Sequence, residues 1–154
     1  MNIKLLISYK NEQRVIESDI LTPIQTGRAL ADKKFPNMLG DDVGDNISSK
    51  NDIYAEITAQ YWVWKNYKEI GNPDYVGFMH YRRHFIFNER SYTENTNGRH
   101  IEFDYIDNDY LIETHLLDDH VIIKKLKNND IVTSYKYHLD FNTAEDHFKH
   151  HTFL

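Results

Sequence analysis

The sequence predicts an α/β domain built on an open, mostly parallel sheet with flanking helices. Two observations carry this. Residues 3–9 and 75–81 are nearly unbroken apolar runs, the pattern of strands buried on both faces. Between and after them, stretches with helical spacing alternate with short strand-like runs, the βαβ rhythm of a parallel sheet.

The first strand is Ile3-Lys4-Leu5-Leu6-Ile7-Ser8-Tyr9, closed by the polar run Lys10-Asn11-Glu12-Gln13. Residues 20–46 are punctuated by Pro23, Gly27, Pro36, Gly40 and Gly44 and read as loop-rich. Ser49 with Asp52 gives a capping-box-like start to a helix over about residues 50–68. Ile53, Ile57, Tyr61 and Trp64 recur along it, which predicts that this stripe, Trp64 included, faces the core. Trp62 and Trp64 lie ~200° apart on such a helix, so both cannot be fully buried. Gly71-Asn72-Pro73-Asp74 ends the helix, and residues 75–81 form the next buried strand. Residues 88–100 are polar and loop-like. Leu111, Leu116, Ile122 and Leu126 predict one helix over residues 105–127, then a third strand over 130–134 and the start of a further helix over 143–154.

Composition removes whole classes of function. The 154 residues suit one domain, predicted to span 1–154, with a sizeable core. No apolar run is long enough to form a transmembrane helix. Without cysteine there is no disulfide framework, thiolate zinc site or cysteine nucleophile. A net charge of −6 argues against nucleic-acid binding. The P-loop, dinucleotide-binding and serine-hydrolase signatures are absent. The excess is in aromatics, 14% of residues with 11 tyrosines, which serve cores and flat polar ligands alike.

Ligands of open α/β sheets bind beyond the carboxyl ends of the strands. That rule selects Tyr9 after the first strand, His80, Tyr81, Arg82 and Arg83 after the second, and Lys136 after the third. The arginines suit an anionic ligand through bidentate hydrogen bonds, or else pair with carboxylates of the protein itself. The run Gly40-Asp41-Asp42-Val43-Gly44-Asp45-Asn46 offers hard oxygens for a cation or for sugar hydroxyls, or is an acidic turn before a helix. It lacks the calcium-loop spacing. His147, His150 and His151 do not match the helical zinc pattern.

Five stretches together resemble a known family. They are Ile3-Lys4-Leu5-Leu6-Ile7-Ser8-Tyr9-Lys10, Leu21-Thr22-Pro23-Ile24-Gln25-Thr26-Gly27, Asp41-Asp42-Val43-Gly44-Asp45-Asn46-Ile47-Ser48, the segment from Glu56 to Asn66 that includes Tyr61-Trp62-Val63-Trp64, and Asp74-Tyr75-Val76-Gly77-Phe78-Met79-His80-Tyr81-Arg82-Arg83. The family is the bacterial capsular polysaccharide and lipopolysaccharide biosynthesis domain, first catalogued without a function and assigned to glycosyltransferases, galactofuranosyltransferases among them. The resemblance implies a GT-A-like fold, a nucleotide-sugar donor such as a UDP-sugar, and a glycan or lipid-linked glycan acceptor in surface polysaccharide assembly. It implies a cytoplasmic location, peripheral to the inner membrane. Arg82 and Arg83 would neutralise the leaving diphosphate. Asp45, Glu56 and His80 would be catalytic, with a carboxylate as base. Tyr9, Asp41, Asp42, Asn46, Tyr81 and Lys136 would bind substrate, with no assigned metal ligand but Mn or Mg as the cofactor if one is used. Family members are usually longer, so the resemblance also implies a fold incomplete at the C-terminus. A noncatalytic sugar- or anion-binding module is the competing reading.

Overall fold

The computed structural model describes residues 1–11, 13–88 and 101–133. Four strands, β1 (Ile3–Tyr9), β2 (Leu21–Gln25), β3 (Leu39–Gly40) and β4 (Tyr75–His80), form one sheet in the order β3-β2-β1-β4. All three pairings are parallel, with Leu5 opposite both Leu21 and Gly77. The helices are α1 (Asn51–Tyr54), α2 (Ile57–Lys65), α3 (Asn108–Thr114) and α4 (Asp119–Leu126).

β1 is central, which explains its continuous apolar sequence. Its odd residues, Ile3, Leu5, Ile7 and Tyr9, pack with Leu111, Leu116, Ile122 and Leu126 from α3, α4 and the turn between them. On the opposite face Leu6 joins Ile24, Ala59, Trp62, Val63 and Ile70 under α2. The result is a helix–sheet–helix sandwich.

Several elements depart from the sequence reading. β2 lies inside the region that the sequence predicts to be loop, because Pro23 reads as a strand breaker. The β2–β3 ladder starts only at Ile24 opposite Leu39, so the N–H that Pro23 lacks falls before that ladder. β4 is an edge strand of the described sheet, and Val76 is exposed. The helix expected over 50–68 is broken at Ala55, which adopts φ 46° and ψ −132°. The stripe Ile53, Ile57 and Trp64 faces solvent at 80%, 53% and 68% exposure, while Thr58, Ala59, Trp62 and Val63 form the buried face. Helical periodicity shows which residues share a face, but not which face turns inward. Trp62 is the core tryptophan, and its indole N–H donates to the Val43 carbonyl at 2.8 Å.

The helix expected over 105–127 is two helices. His115 takes the left-handed conformation at φ 55°, and the Leu116 N–H returns to the Leu111 carbonyl, closing α3. Asp107 and Asp118 cap α3 and α4 by accepting from the N–H groups of Tyr110 and Val121. The expected third strand is contradicted over 131–133, which form no strand and leave Ile131 78% exposed. Lys136, the histidines at 147, 150 and 151, and the helix expected over 143–154 lie outside the described residues, as does most of the 88–100 loop. No described helix is long and apolar enough to cross a membrane.

Candidate functional site

The chain runs from β1 to β2 to β3 on one side of the sheet, then returns across it to place β4 on the other side of β1. This reversal makes the carboxyl ends of β1 and β4 the crevice where open α/β sheets bind ligands. The segment after β4 is shaped for display. The His80 N–H donates to the Arg83 carbonyl at 3.1 Å and the Arg83 N–H to the His80 carbonyl at 2.9 Å, while the Tyr81 N–H is tied to the Ser8 carbonyl at 3.1 Å. This tight turn leaves Arg82 and Arg83 exposed on the rim. The Tyr81 ring lies 4.2 Å from that of His80 and 6.3 Å from that of Tyr9, and the Arg82 guanidinium sits 5.1 Å over it.

Glu56 joins the same place from the other side. The Ala55 turn is held by Asn51, whose Nδ2 donates to the Ala55 carbonyl at 2.8 Å and to the Thr58 hydroxyl oxygen at 3.0 Å. A non-glycine residue at this backbone angle is strained, and the strain sits beside the residue it aims. Glu56 Oε1 lies 3.3 Å from His80 Nε2, with Glu56 about half exposed. His80 Nδ1 accepts from the Arg82 backbone N–H at 3.1 Å, so its proton is on Nε2, the nitrogen nearer Glu56. Burial lowers the His80 pKa; Glu56 opposes that shift, and Arg82 and Arg83 add to it. The lowered pKa leaves His80 a neutral imidazole beside the carboxylate.

The acidic loop divides into unequal parts. Asp41 is fully buried and does not meet the expectation that it faces a ligand. Its Oδ1 accepts from the Arg28 N–H at 3.0 Å and the Ser48 hydroxyl at 2.5 Å, and its Oδ2 from the Gly27 N–H at 2.9 Å and the Thr58 hydroxyl at 2.6 Å. It knots the ends of β2 and β3 to α2. Asp42 is held by Lys34 at 2.6 Å and Arg28 at 3.2 Å; burial opposes its charge, but these cations outweigh it and hold the carboxyl below the usual range. Asp45 is exposed on the outer side of α2, accepting from the Tyr61 hydroxyl at 3.0 Å, with Lys65 at 3.9 Å. Asn46 caps its own turn, with Oδ1 accepting from the Ser48 N–H at 3.2 Å. Tyr9 is also buried, its hydroxyl accepting from the Ile16 N–H at 3.0 Å, so only its ring reaches the site.

A divalent cation does not fit these carboxylates. All of Asp41's oxygens and both of Asp42's are taken by protein donors, and among the described residues no three His, Asp or Glu side chains converge. Positive charge at the crevice comes from the arginines.

Behind the arginines lies a pair that no local sequence pattern marks. His84 Nδ1 is in hydrogen-bond contact with the Tyr110 hydroxyl, and His84 Nε2 is buried with no hydrogen-bond partner among the described residues. Burial, with a contribution from His80, lowers the His84 pKa to about 4, and burial raises Tyr110 to about 12. A histidine depressed from its unfolded value contributes stability fully above about pH 6.5 and loses it as pH falls toward 4. Urea unfolding should therefore lose about 3 kcal/mol of stability over that window. His84→Phe should flatten the slope, and parallel slopes for the two proteins would refute the assignment.

The parallel sheet flanked by helices is a GT-A-like arrangement. A family model described as a domain of unknown function, DUF4422, matches residues 4–153, and the chain belongs to that family. It is similar to the apo structure of WbbM, a bifunctional glycosyltransferase, at 35% identity and a TM-score of 0.75, over 84% of this chain and 22% of that one. No curated protein matches it.

Proposed function

We propose that this domain transfers a sugar from a nucleoside-diphosphate sugar, a UDP-sugar by the family resemblance, to a hydroxyl of a growing surface glycan. The observation that carries this reading is the exposed Arg82–Arg83 pair on the sheet's switch crevice, next to a carboxylate that lies 3.3 Å from His80 Nε2. The arginines hold the diphosphate and stabilise the charge it gains as the glycosidic bond breaks. Glu56 takes the proton of the acceptor hydroxyl as its oxygen bonds to the anomeric carbon. One Glu56 oxygen lies beside His80, and the exposure of the side chain leaves the carboxylate open to the acceptor. Tyr81 supports Arg82 from below. The similar structure supports glycosyl transfer as the reaction class, and the resemblance to polysaccharide-assembly domains supports galactofuranose as the sugar to try first.

Glu56→Gln keeps the shape and removes the base. It should lower turnover of UDP-galactofuranose onto a galactan acceptor by about 10²–10⁴-fold while leaving UDP affinity within about twofold. Unchanged turnover would remove Glu56 from the mechanism.

A further inference from the structure

The outward stripe of α2 carries an arrangement that the transfer site does not use. Trp64 is 68% exposed, yet it is held on two sides: Tyr61 meets it edge-on at 5.7 Å and 85°, and the Lys65 ammonium lies 4.0 Å from its ring centre. Both neighbours converge on Asp45, Tyr61 by a 3.0 Å hydrogen bond and Lys65 at 3.9 Å. The ring is thus a fixed aromatic plane with a hydroxyl, an ammonium and a carboxylate at its rim. Lys65 and Asp45 neutralise one another, so the surface attracts neither a phosphate nor an acidic or basic peptide. An uncharged, hydroxyl-rich ligand with an apolar ring face matches it.

A pocket of about 380 Å³ adjoins this surface, lined by Leu39, Val43, Gly44, Trp62, Asn66 and Glu69. Asn66 joins the two, because its Nδ2 donates to the Asp45 carbonyl at 2.8 Å while its side chain lines the pocket. It fits there only because residue 44 is glycine, at φ +60°, where a Cβ would stand 2.2 Å from Asn66 Oδ1. The pocket has an apolar floor with carboxylate and amide acceptors at the edge, the composition of small polar-ligand sites.

We infer that the Trp64–Tyr61–Lys65–Asp45 surface and the adjoining pocket bind a neutral glycan chain outside the transfer site. Trp64 stacks on one sugar ring, and Asp45, Asn66 and Glu69 accept hydroxyl hydrogen bonds from that ring and its neighbour. This deepens the proposed function by giving the acceptor chain a second foothold, and it rests on that reading only for the source of the glycan.

The full chain is titrated with linear neutral hexasaccharides of the galactan, malto and cello series, following tryptophan fluorescence. Because Trp62 is buried, the exposed Trp64 should report the binding. At least one series should shift and quench the emission saturably. Trp64→Ala should weaken that hexasaccharide by about tenfold or more by calorimetry, Trp64→Phe should restore part of it, and UDP affinity should be unchanged in both. No saturable binding by any series, or equal binding by Trp64→Ala, overturns the inference. Hexasaccharide binding without UDP binding upholds the platform and removes the transfer reading. UDP binding without hexasaccharide binding does the reverse.

Discussion

Arg82→Ala should weaken UDP binding by about 10–10²-fold, and the double variant with Arg83→Ala by about 10²–10³-fold. Each guanidinium–diphosphate contact is a charge-assisted hydrogen-bond pair, worth about 1.5–3 kcal/mol. The folded structure should tolerate both changes. Both side chains are exposed, and the hydrogen bond that Arg82 makes to His80 uses its backbone N–H, which alanine keeps. Calorimetry gives the affinity, and thermal unfolding should show a melting temperature close to that of the parent. Were the arginines only solvated surface charges, the double variant would bind UDP as the parent does.

Asp41→Ala should have the largest effect on stability, about 3–5 kcal/mol in urea unfolding. Removing one partner of a buried charged network leaves the others without acceptors. Four donors, the N–H groups of Gly27 and Arg28 and the hydroxyls of Ser48 and Thr58, would lose theirs together. Such a loss is a large share of the stability of an ordinary domain. Asp41→Asn should fall between, since the amide presents its NH₂ to one pair of donors while its oxygen serves the other. Asp45→Ala, on an exposed carboxylate four residues away, should cost under about 1 kcal/mol. Equal, small losses for Asp41→Ala and Asp45→Ala would show that the knot does not hold the rim.

That contrast marks how far the residues could be read. Three carboxylates in a run of seven look equivalent as sequence, yet one is buried and saturated, one is held by two cations and one is exposed in a loop against α2. Only tertiary neighbours, Thr58 and Ser48 for Asp41, Arg28 and Lys34 for Asp42, distinguish them. The two apolar strands, their parallel pairing and the display of Arg82 and Arg83 after β4 were legible, because burial on both faces leaves an unbroken apolar run and the carboxyl-end rule does the rest. β2 was not, since Pro23 reads as a break unless the missing N–H is known to fall before the β3 ladder. The periodicity of the α1–α2 stripe is legible but its outward direction is not; the buried face uses Thr58 and Ala59, small residues that allow close packing and carry little hydrophobic signal. The His84–Tyr110 contact joins residues 26 positions apart through α3 and left no local pattern.

On the proposed function, the arginine pair holds the diphosphate of a nucleotide sugar without a divalent cation. Calorimetric titration of the full chain with UDP and UDP-galactofuranose, once in chelator and once with manganese, is the deciding measurement. Saturable binding of equal affinity in both conditions, lost in the Arg82→Ala, Arg83→Ala double variant, is the predicted result. No binding in chelator by a folded chain, or binding that the double variant retains, would contradict it.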